Sequence, residues 1–446
     1  MIYRDLCKLV IFLFTVPGIA INDARCQQKA VPDSVIGLPP FFYPTEYPDH
    51  IILNLTADPL ASVMVNWRTK ASISNGSVQI SEATPGPEFR KDIRTIQAIS
   101  KGFENKYRAE PEIKCYYHSA LMDELTPGRK YTYRVGIDTF WSEWFQFNVP
   151  NPKRDPLTFI YFGDAQNEVK SMWSRVIREA FRTMPSVDFM LHAGDLINRY
   201  NRDLEWSEWF SAGGFINAMV PSIMTPGNHE YRNLQLSPHW KPQFALPTNG
   251  PSGLEETCYL IPYPHLNVIS LDAEHIDEGT EFKQKQMIWL DSILSNHPKI
   301  WTIVTLHYPL YSTKPARDNR EVREALKPIF DKYQVDLVLQ GHDHAYGRGL
   351  VKNKLSGVSR QDRKSGTVYV VSVSGPKMYS LEPKVWIDRK AINTQLFQVI
   401  SVSEEKLEYK AYTANGSLYD AFELVRPDGQ PSRMINHIPP MRERVK

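Results

Sequence analysis

Five short blocks of the 446-residue chain carry donor groups of one kind: Gly163-Asp164-Ala165-Gln166, Gly194-Asp195-Leu196-Ile197-Asn198, Gly227-Asn228-His229-Glu230, Val304-Thr305-Leu306-His307 and Gly341-His342-Asp343-His344. Singly, each is weak, because a His near a strand is more often structural and an Asp after Gly is usually a turn or a helix cap. Five in fixed order, each directly behind an apolar run, are not an accident of composition. Glycine lets the chain turn sharply and brings backbone close to a ligand. Carboxylate, amide and imidazole donors suit borderline-hard metals such as iron, zinc and manganese.

The elements that must position these blocks alternate in period. Strand-like runs cover Leu157 to Phe162, Val187 to His192, Ser222 to Thr225, Asn267 to Leu271, Ile300 to Leu306, Val335 to Gln340 and Thr367 to Val373. Amphipathic helical runs lie near Val169 to Met184, Glu205 to Met219, Glu281 to Ser295 and Arg320 to Tyr333. Such alternation predicts an α/β domain of packed sheets flanked by helices, with functional residues on loops at strand C-termini. Residues 395–425 read as closing strands of that domain. Upstream, 50–150 is different: short alternating segments (Ser62 to Arg68, Ser77 to Ser81, Lys130 to Ile137) between Gly, Pro and Asn turns predict an all-β sandwich. Leu125-Thr-Pro-Gly-Arg-Lys-Tyr131-Thr-Tyr-Arg-Val135 looks like the tyrosine corner of fibronectin type III and immunoglobulin-like sandwiches. Trp67, Trp141 and Trp144 are then core or rim aromatics.

As a set, the five blocks resemble calcineurin-like metallophosphoesterases, and the upstream sandwich makes the purple acid phosphatases the nearest family. The resemblance covers roughly residues 50–425 and includes Gln286-Met-Ile-Trp289-Leu290 and His307-Tyr-Pro-Leu-Tyr311. It implies a dinuclear-metal phosphohydrolase of the acid phosphatase type, which cleaves phosphate monoesters with a metal-bound hydroxide. By resemblance Asp195 bridges the metals, Asp164 and His344 hold the first, and Asn228, His307 and His342 hold the second. A carboxylate shared by two cations roughly 3.5–4 Å apart lowers the pKa of bound water toward neutrality and leaves positions for phosphate oxygens. His229 is expected to reach the phosphate or to donate a proton to the leaving alkoxide. Asp343 is expected to face away or to orient a ligand His.

One departure from that family bears on the metal. Purple acid phosphatases carry a Tyr three residues after the bridging Asp, and its ferric charge transfer gives the colour; position 198 here is Asn, with Tyr200 two residues further on. Gln166, two after Asp164, sits where many metallophosphoesterases have a His ligand, and is similar to the pattern of manganese-dependent ADP-ribose and CDP-alcohol diphosphatases. The expected first shell therefore adds the Gln166 amide oxygen, helped by Asn198. Loss of phenolate favours two divalent ions such as Mn²⁺, Fe²⁺ or Zn²⁺ over a ferric-tyrosinate centre, so no colour is expected. A phosphodiesterase or nucleotide diphosphatase would use the same metals, and a non-catalytic binding module is the third reading; the complete ligand set argues against the last.

Outside the blocks the signals thin out. Arg317 falls where plant-type relatives place a His over the substrate phosphate, and its fork suits that contact; Arg348 is a weaker candidate. Trp206, Trp209 and Trp240 could line a cleft, although the first two have the spacing of a helix core. Lys plus Arg (52) nearly balances Asp plus Glu (50), so bulk charge does not argue for nucleic acid or an anionic membrane as partner, and the attraction for the expected small phosphorylated substrate must be local. The composition, 42% apolar and 23% charged, is that of a soluble globular protein. Residues 1–20, with Arg4, Lys8 and the apolar run Leu9 to Ala20, read as a cleaved secretory signal, too short to span a bilayer. This predicts a secreted or periplasmic protein, and the residues before Cys26 are poor for lipid anchoring. With Cys7 lost alongside the signal, Cys26, Cys115 and Cys258 allow at most one disulfide. Asn54, Asn75 and Asn415 head sequons that a eukaryotic host would glycosylate. The expected organisation is signal 1–20, arm 21–47, sandwich 48–150, catalytic domain 156–425 and tail 426–446.

Overall fold

The computed structural model describes residues 37–151, 156–355, 358–361, 366–427 and 430–445. The expected signal segment, Cys7 and Cys26 lie outside the described residues.

The chain builds a β-rich N-terminal domain followed by an α/β domain with mixed sheets. In the first domain, strands Asp49–Leu55, Val63–Lys70, Ile99–Asn105 and Ile113–Met122 form one sheet face, and Ser77–Glu82, Arg94–Gln97, Lys130–Ile137, Phe140–Trp141 and Phe145–Asn148 form the other. Alternating side chains from both, among them Val65, Trp67, Val78, Tyr133 and Phe147, fill the core between them. The Thr126 N–H donates to Tyr131 Oη at 2.9 Å, which ties the turn to the strand that leaves it. Tyr131→Phe removes that one bond and is expected to cost about 1 kcal/mol in denaturant unfolding, without a change in activity. Trp141 and Trp144 lie at the rim under the Arg134 guanidinium.

The α/β domain has two sheets packed face to face. Leu157–Phe162, Phe189–Ala193 and Ser222–Thr225 run parallel in the larger, eleven-stranded sheet. Leu266–Ser270, Trp301–Thr305, Leu337–Gln340 and Val368–Val371 run parallel in the seven-stranded sheet. Being covered on both faces, these strands read as unbroken apolar runs, which is why they stood out in the sequence. Phe159, Tyr161 and Leu191 of one sheet and Ile303, Leu337 and Val368 of the other share a core, and helices Glu281–Asn296 and Arg320–Tyr333 cover the outer face of the second.

Several details depart from expectation for local reasons. The run expected as one helix over Glu205 to Met219 divides at Gly214, whose φ of +53° ends Asp203–Gly213 before Phe215–Met219 begins. The helix expected from Val169 opens as a wide turn, Val169–Trp173, before the α-helix Ser174–Thr183. Asp49–Leu55 pairs in parallel with Ser222–Thr225, so one face of the sandwich and one sheet of the α/β domain are continuous. The stretch expected as a tail contributes an edge strand, Arg433–Asn436. Cys115 and Cys258 are both free and buried. Asn54 is fully buried with its amide on Asn66, so its sequon is not open to a glycosyl donor, whereas Asn75 and Asn415 are exposed.

Candidate metal centre

All five blocks emerge at the C-terminal ends of parallel strands, three from the larger sheet and two from the smaller, and their side chains converge in the gap between. Asp195 stands at the middle. Its Oδ2 lies 3.1 Å from His307 Nε2 and accepts from Gln166 Nε2 at 2.8 Å. On one side, Asp164, Asp195 and His344 place one donor atom each within 4.8 Å of one another. Gln166 Nε2 is also 3.0 Å from His344 Nε2, while its Oε1 is buried without a partner. A half-turn of that amide presents the oxygen to the same space, so the orphaned oxygen fits a first-metal ligand. On the other side, Asp195, His307 and His342 form a second such group, and His307 Nε2 lies 3.2 Å from both His342 Nδ1 and Asn228 Oδ1. The donor set fits two divalent cations with Asp195 between them.

The backbone is bent to achieve this. Asp164, Asp195, His342 and His344 all have positive φ, between 44° and 74°, a region that non-glycine residues seldom occupy and that costs about 1–3 kcal/mol each. Close packing behind them explains two of the glycines. A Cβ on Gly194, itself at φ +86°, would meet His307 Nδ1 at 2.6 Å, and one on Gly227 would meet Asp195 Oδ1 at 2.3 Å. Two of the three ligand imidazoles are aimed by their other nitrogen: His307 Nδ1 donates to the Ala193 carbonyl at 2.9 Å and His344 Nδ1 to the Lys377 carbonyl at 2.9 Å.

Electrostatics point the same way. Burial, opposed by His307 and reinforced by Asp195, pushes the Asp164 carboxyl well above the usual range. Burial would also raise Asp195, but His307, His229 and His342 outweigh it and hold this carboxylate low. Burial alone would keep His307 neutral, yet Asp195 pushes it up to about 10, whereas burial takes His344 down to about 4. Two carboxyls and three imidazoles in one dry space cannot all reach their preferred charge with protons alone. A divalent cation satisfies them together, by displacing the shared protons and pairing with the carboxylates. Gln166→Ala is therefore expected to weaken one metal selectively, about tenfold by titration against a chelator, with the second metal retained.

The other residues singled out from sequence lie close by in different ways. His229 Nδ1 donates to the Asn198 carbonyl at 2.7 Å, which turns Nε2 toward Asp195 Oδ2, 3.9 Å away. Asn198 thus enters through its backbone, and its side chain makes no hydrogen bond among the described residues. The Tyr200 ring packs under Arg232. Arg317 gives one nitrogen to Asp343 Oδ1 (2.7 Å) and the His342 carbonyl (3.2 Å). Asp343 takes the backbone N–H and hydroxyl of Thr313 and the Ser312 hydroxyl, and so anchors the loop that carries Arg317. Arg348 is a core residue, in a bidentate ion pair with Asp420 at 2.7 and 2.8 Å. Trp206, Trp209 and Trp240 are fully buried in the core.

One residue with no role assigned from sequence is central. Glu230 is fully buried and accepts from the N–H groups of Asp195 (2.9 Å), Leu196 (2.8 Å) and Gly227 (2.7 Å), which staples two ligand loops together. Burial and the Asp195 charge raise it to about 8 against those donors. Glu205 does the same for the next turn, accepting from the N–H groups of Asn198 and Arg199. Its position directly after His229, as the last residue of the third donor block, was the available signal for Glu230.

Residues 157–346 match the calcineurin-like phosphoesterase family, and residues 48–149 match the purple acid phosphatase N-terminal domain. The chain joins a purple acid phosphatase N-terminal domain to a calcineurin-like phosphoesterase domain. Acid phosphatase type 7 of Mus musculus is 27% identical over 332 residues, which is 69% of this chain and 72% of that protein. Probable inactive purple acid phosphatase 1 of Arabidopsis thaliana is 23% identical over 361 residues, 69% of this chain and 57% of its own length. The purple acid phosphatase from yellow lupin seeds shares the fold, with TM-score 0.70 at 20% identity over 86% of this chain and 75% of that one. The phosphoesterase domain makes this chain a hydrolase of phosphoric ester bonds.

Proposed function

We propose that the phosphoesterase domain hydrolyses small phosphate monoesters at a pair of divalent metals held by Asp164, Gln166, Asp195 and His344 on one side and Asp195, Asn228, His307 and His342 on the other. The observation that carries this reading is the convergence of those donors on Asp195 from two sheets. When bound, the metal pair supplies Lewis-acid activation of water and neutralises charge on the phosphoryl group. His229 does the proton chemistry: with its Nδ1 hydrogen on the Asn198 carbonyl, Nε2 is the atom that exchanges a proton with the leaving oxygen. Glu230 keeps the Asp195 and Asn228 loops in register. The leader 1–20 would carry the enzyme out of the cytoplasm, and no helix among the described residues is long and apolar enough to cross a membrane.

Elemental analysis of the purified protein tests the metal and the reaction together. Expected are about two divalent ions per chain, loss of p-nitrophenyl phosphate turnover on chelation, and best recovery with Mn²⁺, without a visible charge-transfer band. A preference for bis(p-nitrophenyl) phosphate would replace the monoester reading by a phosphodiesterase. A purple protein bleached by Tyr200→Phe would replace the Gln166 ligand by a phenolate.

A further inference from the structure

The loop that aims His229 is clasped from outside by the N-terminal domain. Residues 196–202, between Asp195 and helix Asp203–Gly213, form neither helix nor strand, so side chains set their course. Glu205 takes the N–H groups of Asn198 and Arg199 at 2.8 and 2.7 Å and the Arg202 guanidinium at 3.3 Å. The same guanidinium donates through Nε to Glu110 Oε1 at 2.7 Å. Glu110 belongs to the sandwich, in the turn between strands Ile99–Asn105 and Ile113–Met122. Asn105, the last residue of the first of these strands, gives its amide to the Asn201 carbonyl at 2.9 Å and to the Asp203 carboxylate.

Strand Ile99–Asn105 is an edge of its sheet, with Gly102 and Glu104 exposed and Phe103 and Asn105, on the opposite face, half-buried. The α/β domain covers that face: the Phe103 ring lies 4.8 Å from the ring of His239, whose Nε2 is 3.0 Å from Asp203 Oδ1. From there the path to the chemistry is short. Arg202 joins Glu110 to Glu205, Glu205 holds the Asn198 N–H, and the Asn198 carbonyl takes the His229 Nδ1 proton at 2.7 Å. A partly exposed ion pair such as Arg202–Glu110 contributes little to stability. A shift of the Asn198 carbonyl would re-aim the ring, and a misplacement of about 1 Å at a reacting group costs on the order of a hundredfold in rate.

We infer that hairpin 99–122 of the N-terminal domain positions His229, with Asn105 and Glu110 as positioning residues that act through Asn201, Arg202 and Glu205 on the Asn198 carbonyl. The inference rests on the reading of His229 as the group that protonates the leaving oxygen as the P–O bond breaks. It gives the sandwich a part in turnover, although neither residue belongs to the metal donor set.

The test uses the metal-loaded full chain and its Glu110→Ala, Asn105→Ala and Glu110→Gln variants, each alone and combined with His229→Ala, with metal content and thermal unfolding measured beside turnover. Both metals should remain throughout. In Glu110→Ala and Asn105→Ala, kcat on ethyl phosphate should fall about tenfold and kcat on p-nitrophenyl phosphate several-fold less, with KM unchanged on both. Glu110→Gln, whose amide oxygen still accepts from Arg202 Nε, should restore the ratio of the two rates. Without His229, neither alanine should cost more than about twofold, because the ring that the hairpin positions is gone. Where His229→Ala itself discriminates between the substrates, equal losses on both in the alanine variants, a loss that persists in full without His229, or unchanged turnover would overturn the positioning role. A His229→Ala deficit equal on both substrates would instead overturn the acid role, and the coupling of Glu110 to His229, read on either substrate, would then still decide whether the hairpin sets the position of the ring.

Discussion

Asp195→Asn should abolish turnover and metal stoichiometry together. The carboxylate is fully buried, lies between the two donor groups, and contributes to both, so it is the single side chain whose loss affects each metal at once. Asparagine keeps the volume and one carbonyl oxygen but removes the charge. It also presents an N–H₂ group where His307 Nε2, 3.1 Å away, and Gln166 Nε2 now meet oxygen. Removing an outer partner of a metal ligand costs roughly 10–100-fold, so removal of the shared anion should cost more than that in affinity for each metal. The measurement is metal content by elemental analysis beside p-nitrophenyl phosphate turnover, with thermal unfolding as a check on the fold. Near wild-type turnover with two metals retained would take Asp195 out of the mechanism.

The donor blocks were legible because their strands are buried on both faces. Such strands cannot alternate, so Leu157–Phe162 and Trp301–Thr305 stand out as apolar runs, and the polar residues that follow mark where each run reaches the sheet edge. Residue type then narrows the chemistry. What could not be read is anything that depends on which loops meet. Glu230 and Glu205 act on backbone N–H groups, which every residue has, so no partner residue marks them in the sequence. Arg317 was legible as a cation near the centre, but its engagement by Asp343 depends on the turn through Ser312 and Thr313. Asn198 shows the same limit: its side chain suggested a ligand, whereas the contact it makes in the site is a main-chain carbonyl on His229. The continuity of the two domains through one sheet rests on a single parallel register between Asn54 and Ser222, far apart in sequence and each unremarkable. Tertiary placement, rather than residue type, decided each of these.

His229→Ala should separate substrate chemistry from metal binding, which is the opposite outcome to that for Asp195. His229 touches the Asp195 carboxylate through its own backbone N–H at 2.9 Å, and alanine keeps that bond. The ring itself is a quarter exposed, with Nδ1 held by the Asn198 carbonyl and Nε2 3.9 Å from Asp195 Oδ2, so it borders the centre on the side open to solvent. Both metals should therefore remain, while turnover falls by roughly 10²–10⁴, the scale of a lost general acid. The loss should also depend on the leaving group. An aryl phosphate departs as a stabilised phenolate and needs little protonation, whereas an alkyl phosphate departs as an alkoxide and needs it fully. The deficit of His229→Ala should thus be several-fold larger on an alkyl monoester than on p-nitrophenyl phosphate. Equal deficits on both would assign His229 to phosphate binding instead of proton transfer, and loss of a metal on this substitution would mean that the imidazole is a ligand and that the donor set on the Asn228 side has to be redrawn.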